Sequence, residues 1–336
     1  MKEALFYQKL ENQKVKCGLC PHNCLIAEGK RGICGVRENR GGLLYSLVYG
    51  KIVASHIDPI EKKPLFHFLP GSLSYSIATV GCNFRCDFCQ NWEISQMPRE
   101  QHIIAGEDVS PEEIVLDALK SNCQSISYTY TEPTIFFEFA YDTSKLASEK
   151  GLKNVFVTNG FINPEPLELI SPYLHAANVD LKSFQEDFYK KICGARLAPV
   201  LETLKLMKKL NIWVEVTTLV IPGRNDSKEE LTQIASFIKN ELSPDTPWHV
   251  SAFFPHYKMA DHPRTPAEKL EMARDIGLKA GLKYVYSGNI PIRGAEDTYC
   301  PKCKKSLIER AGFQILKNVL KNGQCVFCGE KISGIW

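Results

Sequence analysis

Residues 74–92 read SYSIATVGCNFRCDFCQNW. The first half, SYSIATVGC, has the pattern of a strand. Cys82, Cys86 and Cys89 then follow at gaps of three and two residues on a single loop, with neither a fourth cysteine nor a histidine close behind. Three thiolates on a cubic iron–sulfur cluster leave one iron without a protein ligand, and an open metal position is where chemistry occurs. Zinc with a distant fourth ligand is the competing reading. A loop leaving the C-terminal end of such a strand would sit at the active end of a βα barrel.

Outward from this loop, strand and helix patterns alternate from residue 76 to about residue 289, which predicts βα units on a parallel sheet. SIATVGC is followed by the helical SPEEIVLDALKSN, with Ser110 as N-cap and Pro111 in its first turn. SISYTY, NVFVTNG, AANVDLKS, WVEVTTLVIPG and WHVSAFF each precede a helical segment, and YVYSG is a seventh possible strand. The expected architecture is α/β, a partial, TIM-like (βα)6 barrel with a lateral opening.

The chain has 336 residues, with Lys+Arg 41 against Asp+Glu 38, a net +3. With 44% hydrophobic and 24% charged residues, disordered and fibrous classes are excluded. So slight a positive balance argues against a general electrostatic nucleic-acid binder. The start, MKEALFYQKLENQK, shows no secretory h-region, and no apolar stretch approaches the ~20 residues that span a bilayer. A cytoplasmic location is expected. Thirteen cysteines would suit a disulfide scaffold in a short secreted chain, which this is not, so metal is the first explanation.

Eleven of the thirteen lie in three groups. At the C-terminus, CPKC (Cys300, Cys303) and CVFCG (Cys325, Cys328) have the spacing of a structural four-thiolate zinc site. LIERAGFQILKNVL between them offers a short ribbon or helix. At the N-terminus, Cys17, Cys20, Cys24 and Cys34 could close another four-thiolate site, with turns at Gly29, Gly32 and Gly35. Structural zinc, an auxiliary iron–sulfur cluster and no metal compete there, with zinc preferred; His22 and His56 are substitute ligands. His67 reads as a packing histidine, and Cys123 and Cys193 as buried or incidental thiols.

Polar residues gather after the strands. Thr131 and Glu132 follow the second, Asn159 and Gly160 the third, and Asp180 and Lys182 the fourth. Glu215, Thr217 and Thr218 lie along the fifth, which runs into PGRND. No sequence neighbour pairs Glu132, which favours a functional role for it. Polar groups concentrated at one barrel mouth form a site, although capping and turn formation explain any one alone.

Cys82-x3-Cys86-x2-Cys89, with Phe88 before the last cysteine, resembles the radical S-adenosylmethionine (SAM) signature. The wider pattern of KCGLCPHNC, GKRGICGVREN, GCNFRCDFCQNW and CPKC…CVFCG…GIW resembles AmmeMemoRadiSam-system radical SAM proteins, relatives of the pyruvate formate-lyase activating (glycyl-radical activating) enzymes. The resemblance implies a 4Fe-4S cluster on Cys82, Cys86 and Cys89. It also implies that Glu132 grips the SAM amino group, that Asp180 and Lys182 position SAM, that LVIPGRND shapes the adenosine pocket, and that the Phe88 backbone reads the adenine edge. Thr131, Asn159 and Thr217 complete the expected SAM site. The histidine that relatives carry after the sixth strand is displaced here, in AFFPHYKM, and His256 is its weak counterpart.

The function expected is a radical SAM oxidoreductase of the activating-enzyme type. It would abstract hydrogen from an unidentified substrate, with a protein or peptide plausible. The cofactors would be the 4Fe-4S cluster, SAM and zinc. The partners implied are a one-electron donor of flavodoxin or ferredoxin type and, by resemblance alone, AMME-type and Memo-type proteins. An RNA-modifying radical SAM enzyme is the alternative, with a non-enzymatic zinc-binding protein behind it. The expected domains are a Cys-rich N-terminal module (1–74), the barrel (75–294) and a zinc ribbon (295–336).

Overall fold

The computed structural model describes residues 1–336. Eight strands build the central sheet: β1 (Ala54–Pro59), β2 (Leu73–Ala78), β3 (Ser125–Tyr128), β4 (Lys153–Thr158), β5 (Ala176–Asp180), β6 (Trp213–Val220), β7 (Trp248–Ala252) and β8 (Val285–Gly288). Their spatial order is their chain order. β1 pairs antiparallel with β2, and all neighbours from β2 to β8 are parallel. β1 and β8 do not pair, so the sheet stays open on one side. YVYSG does supply a seventh parallel strand, β8. β1 precedes the expected boundary at residue 74, yet it belongs to the central sheet.

Seven helices connect the strands: α1 (Trp92–Glu100), α2 (Pro111–Lys120), α3 (Phe137–Glu149), α4 (Pro164–Ile170), α5 (Leu197–Lys209), α6 (Lys228–Phe237) and α7 (Ala267–Ala280). α2 starts where the sequence says it should. The Ser110 hydroxyl accepts from the Glu113 N–H, and the Glu113 carboxylate accepts from the Ser110 N–H, which satisfies two otherwise free donors at the helix start. At α6 the Ser227 hydroxyl accepts from the Glu230 N–H without the return bond. α1 was not expected, because Pro98 within it disguises the helical pattern. Pro98 has no N–H for the Ile94 carbonyl, which accepts from the Gly81 N–H instead.

The N-terminal residues form two small sheets, Lys2–Glu3/Leu43–Ser46/Arg37–Arg40 and Tyr7–Lys9/Val15–Cys17/Leu25–Ile26. Val15, Leu19, Val36 and Leu44 belong to the same apolar cluster as the barrel residues Ile77, Phe136 and Val216. This part of the chain is therefore held by the barrel core. The C-terminal residues have a separate cluster around Leu307, Ile308 and Ile332, closed by Phe66, Tyr284 and Tyr286. LIERAGFQILKNVL forms a ribbon, with Ser306–Ala311 antiparallel to Gln314–Asn318.

The ribbon covers the N-terminal end of the barrel through a buried polar network. Glu215 accepts from the Phe66 N–H (3.0 Å), the His67 N–H (2.8 Å) and the Trp213 indole (3.1 Å), and its other partner is His249 at 2.7 Å. Glu215 therefore lies at the end opposite the expected mouth. Thr218 is also removed from the mouth: it accepts from the Trp248 indole and donates to the Leu181 carbonyl. Side chains alternate across a strand, so Thr217 points inward while Thr218 points toward the helices.

Candidate functional site: a cysteine loop at the open barrel mouth

The loop that carries Cys82, Cys86 and Cys89 leaves the C-terminal end of β2 and is held on two sides. From α1, the Ile94 carbonyl accepts the Gly81 N–H at 3.0 Å, and Ser95 Oγ lies 3.3 Å from Cys89 Sγ. From the other side come a short helix, Glu186–Phe188, and the wider π turn Tyr189–Cys193 that continues it. Its carbonyls of Ile192 and Cys193 accept the N–H groups of Asp87 (3.1 Å) and Arg85 (2.9 Å). The Cys193 thiol is thereby brought beside the Cys86 thiol. Sequence distance hid this neighbour, more than a hundred positions away. A π turn is a frequent mark of functional sites, but sequence carries no reliable signal for one.

Glu132 and Asn159 stand beside Cys82. Glu132 is not unpaired, as the sequence suggested: its carboxylate accepts from Thr134 N (3.1 Å), Thr134 Oγ1 (2.6 Å), Thr158 Oγ1 (2.7 Å) and Asn159 N (2.8 Å). Burial lifts its pKa above the carboxylate norm, against the pull of these four donors. The Asn159 amide donates to Asn83 Oδ1 at 2.8 Å and faces Cys82 Sγ at 3.8 Å. Thr131 is turned away, donating to the Thr79 carbonyl at 2.8 Å.

Across the mouth, Lys182 Nζ lies 2.9 Å from Asp180 Oδ2 and 5.6 Å from the Phe88 ring centre. Burial opposes its charge, but Asp180 and the thiols of Cys86 and Cys193 prevail and raise its pKa well above normal. Asn225, in the expected PGRND segment, fixes this corner by donating to the Lys182 carbonyl at 2.6 Å. Thr217 sits deeper, bonded to Asn178 Oδ1 at 2.9 Å. His256 is exposed. Its neighbours Tyr257, stacked on Trp92, and Lys258, bonded through its N–H to the Asp87 carbonyl, reach the loop instead.

Of the three cysteine groups, only the C-terminal one gathers its sulfurs within 4.8 Å of one another. Cys300 and Cys328 are 3.6 Å apart, and Cys303 and Cys325 3.7 Å. Four sulfurs at ~2.3 Å from one tetrahedral ion would be spaced by about 3.8 Å.

A model of the Radical SAM superfamily matches residues 76–238, which contain the cysteine loop, Glu132, Asn159 and Lys182. The chain belongs to that superfamily. An uncharacterized protein of Methanocaldococcus jannaschii is 52% identical to it over 334 residues, 99% of each chain. The pyruvate formate-lyase-activating enzyme of Staphylococcus epidermidis is 23% identical over 245 residues, 66% of this chain and 92% of that one. Among solved structures, Streptococcus suis SuiB bound to S-adenosylmethionine aligns with a TM-score of 0.51 and 14% identity, over 68% of this chain and 53% of that one. The shared feature is the α/β fold with its central parallel sheet.

Membership of the radical SAM superfamily implies a 4Fe-4S cluster and SAM, and the residues present fit them. The donor set is three thiols on one loop, spread more widely than around a single ion. A buried carboxylate, an amide and a lysine ring the same loop. No helix is long and apolar enough to cross a membrane.

Proposed function

We propose that this protein is a cytoplasmic radical SAM enzyme related in role to the glycyl-radical activating enzymes, acting on a protein or peptide substrate. The observation that carries the reading is the convergence of Glu132 and Asn159 on Cys82 at the C-terminal mouth of an open parallel sheet. When bound, the cluster supplies the electron that cleaves SAM to methionine and a 5′-deoxyadenosyl radical, which takes hydrogen from the substrate. Cys82, Cys86 and Cys89 would hold three irons and leave the fourth open. Glu132 Oε1 already accepts three hydrogen bonds, whereas Oε2 accepts one, from Asn159. Oε2 is therefore free to take the SAM ammonium. Lys182, paired with Asp180, holds positive charge over the Cys86 side, and the Phe88 backbone would meet the adenine. Thr217 lies beneath this set, bonded to Asn178, while Thr131, bonded to the Thr79 carbonyl, and the exposed His256 stand outside it. The open side of the sheet admits a large substrate.

In the same reading, the residues before β1 are a Cys-rich metal-binding module and residues 295–336 a zinc ribbon, flanking a barrel that begins at β1. A flavodoxin- or ferredoxin-type donor supplies the electron, and AMME-type and Memo-type proteins are the partners to test first. The deciding experiment is anaerobic incubation of the reduced, iron-loaded protein with SAM and deuterated candidate proteins. Deuterium should reach 5′-deoxyadenosine, and Cys86→Ala should abolish cleavage. If the loaded wild-type protein makes no 5′-deoxyadenosine, the enzyme reading falls.

A further inference from the structure

The N-terminal cysteines pack directly on the radical SAM loop. Gly81, at φ +103°, precedes Cys82, and a Cβ there would lie 2.6 Å from Val36 Cγ1 and 3.2 Å from the Cys34 carbonyl oxygen. A Cβ on Gly35, at φ +76°, would lie 2.9 Å from the Pro98 side chain. Both positions need glycine, for conformation and for space. Arg99 fastens the two loops together, donating to the Ile33 carbonyl at 2.7 Å and to the Cys82 carbonyl at 3.4 Å. From the other side His22, which lies between Cys20 and Cys24, contacts the Asn83 carbonyl at 2.8 Å. Only backbone and single side chains separate the two cysteine groups.

The four thiols form a neighbourhood of their own. The Cys17 N–H donates to the Cys24 carbonyl at 2.9 Å, and the Ile33 N–H points at Cys24 Sγ at 3.5 Å. Cys20 is within electrostatic reach of Cys17, Cys24 and Cys34. Beside them lies Arg37, 1% exposed and within reach of Cys17, Cys20 and Cys34. Its Nη2 donates to the Leu5 carbonyl and to Glu138, but Nε and Nη1 are buried with no acceptor. Orphaned donors on a buried cation are costly. A metal–thiolate centre of net negative charge supplies what they lack.

We infer that Cys17, Cys20, Cys24 and Cys34 hold a second iron–sulfur cluster, placed against the radical SAM loop as the point where electrons enter. The inference rests on the proposed function, and it departs from the sequence preference for zinc at these residues. The spread of the sulfurs favours the cluster. The C-terminal sulfurs already stand at zinc spacing, whereas the N-terminal ones, like those of the radical loop, do not draw within 4.8 Å of one another. In a cubic cluster each thiolate binds a different iron, so the ligands stand wider apart. The site is also reachable: Leu25 and Ile33 beside it are 63% and 47% exposed. One electron from a reduced flavodoxin- or ferredoxin-type protein would reduce this centre. Passing that electron inward would reoxidise it and reduce the radical cluster by one.

The test uses the full chain, purified and loaded anaerobically, with iron, sulfide and zinc counted and EPR recorded after dithionite. Wild type should hold about eight irons and about eight sulfides per chain. C82A/C86A/C89A should keep about four irons, with a reduced-cluster signal that SAM does not perturb. C20A/C24A should fall to about four irons and keep the SAM-sensitive signal. Its 5′-deoxyadenosine formation should persist with dithionite and drop at least about tenfold with a flavodoxin as donor. An iron-free triple variant with two zinc ions would overturn the inference while leaving the core reading intact, and that result does not depend on C20A/C24A folding. The reverse, a C20A/C24A variant that still unfolds cooperatively but holds no iron, would sink the core reading instead. An unchanged flavodoxin-driven rate would overturn the electron-entry role.

Discussion

The backbone N–H of Asn159 donates to Glu132 Oε2 at 2.8 Å while the Asn159 side chain faces Cys82 Sγ at 3.8 Å. One residue thus aims the carboxylate and touches a cluster ligand. Glu132→Gln removes the charge and sets an NH2 group against one set of donors. A hydrogen bond to a charged group contributes about 1.5–3 kcal/mol, so SAM affinity should fall about 10- to 100-fold. Iron content should not change. Anaerobic equilibrium dialysis with labelled SAM checks this; wild-type affinity in the variant would remove Glu132 from the SAM site.

Cys193 lies beside Cys86 and is fully buried. A thiol that donates to a cluster thiolate stabilises the more negative, reduced state. Cys193→Ala should therefore lower the midpoint potential, by about 40–60 mV for a contact of about 1 kcal/mol in a one-electron couple. An EPR-monitored potentiometric titration measures it. The iron of the radical cluster should remain; its loss would make Cys193 a ligand, not a tuning group.

The barrel was legible because each βα unit carries its own period and punctuation, such as Ser110–Pro111 opening α2. The cysteine loop was legible because spacing is a local property. Glu132 was located correctly but misread, since three of its four donors come from Thr134 and Thr158 side chains and the Asn159 backbone, which only folding orients. Glu215 was grouped with the residues at the mouth, although it is the third residue of β6 and so stands near its N-terminal end. His249, its partner, went unnoticed. Cys193 and Arg37 act through contacts across the fold, so no window of sequence could show them.

Cys303 Sγ lies 3.7 Å from Cys325 Sγ in a group spaced for one tetrahedral ion. Cys303→Ala should cost about one zinc per chain and lower stability on the order of 3 kcal/mol, comparable to losing a cross-link. The radical-cluster spectrum should be unchanged, because the ribbon sits at the opposite end of the barrel. Metal analysis paired with thermal unfolding decides the matter. An unaltered melting temperature would mean that zinc does not hold the ribbon.

His67 makes the ribbon interface sensitive to acid. It is completely buried, with Nε2 2.6 Å from the Tyr286 hydroxyl and Nδ1 2.7 Å from the Ser333 carbonyl. The carbonyl can only accept, so Nδ1 carries the proton and Nε2 accepts from Tyr286. The Tyr286 oxygen in turn is 2.9 Å from Thr298 Oγ1, which accepts from Arg310 at 2.8 Å. This chain needs a neutral imidazole, and burial drives its pKa down from 6.5 to about 4. Below pH 6.5 the unfolded chain takes a proton that the folded one refuses, so stability is lost as pH falls toward 4 and the effect ends there. Between pH 7 and 5 the loss should be about 2 kcal/mol. Burial opposes the ionised form of Glu215, but His249 holds it below its ordinary 4.5, so it acts in the same direction only at lower pH. His175, also pushed down to about 4 by burial, and His22, lowered by burial, do titrate in this window. The difference between wild type and a His67 variant is therefore what isolates His67. His67→Gln keeps a donor for Ser333 and an acceptor for Tyr286 without titrating. Denaturant unfolding at the two pH values should show a smaller loss in the variant by about that amount; equal losses would mean that another group carries the acid sensitivity.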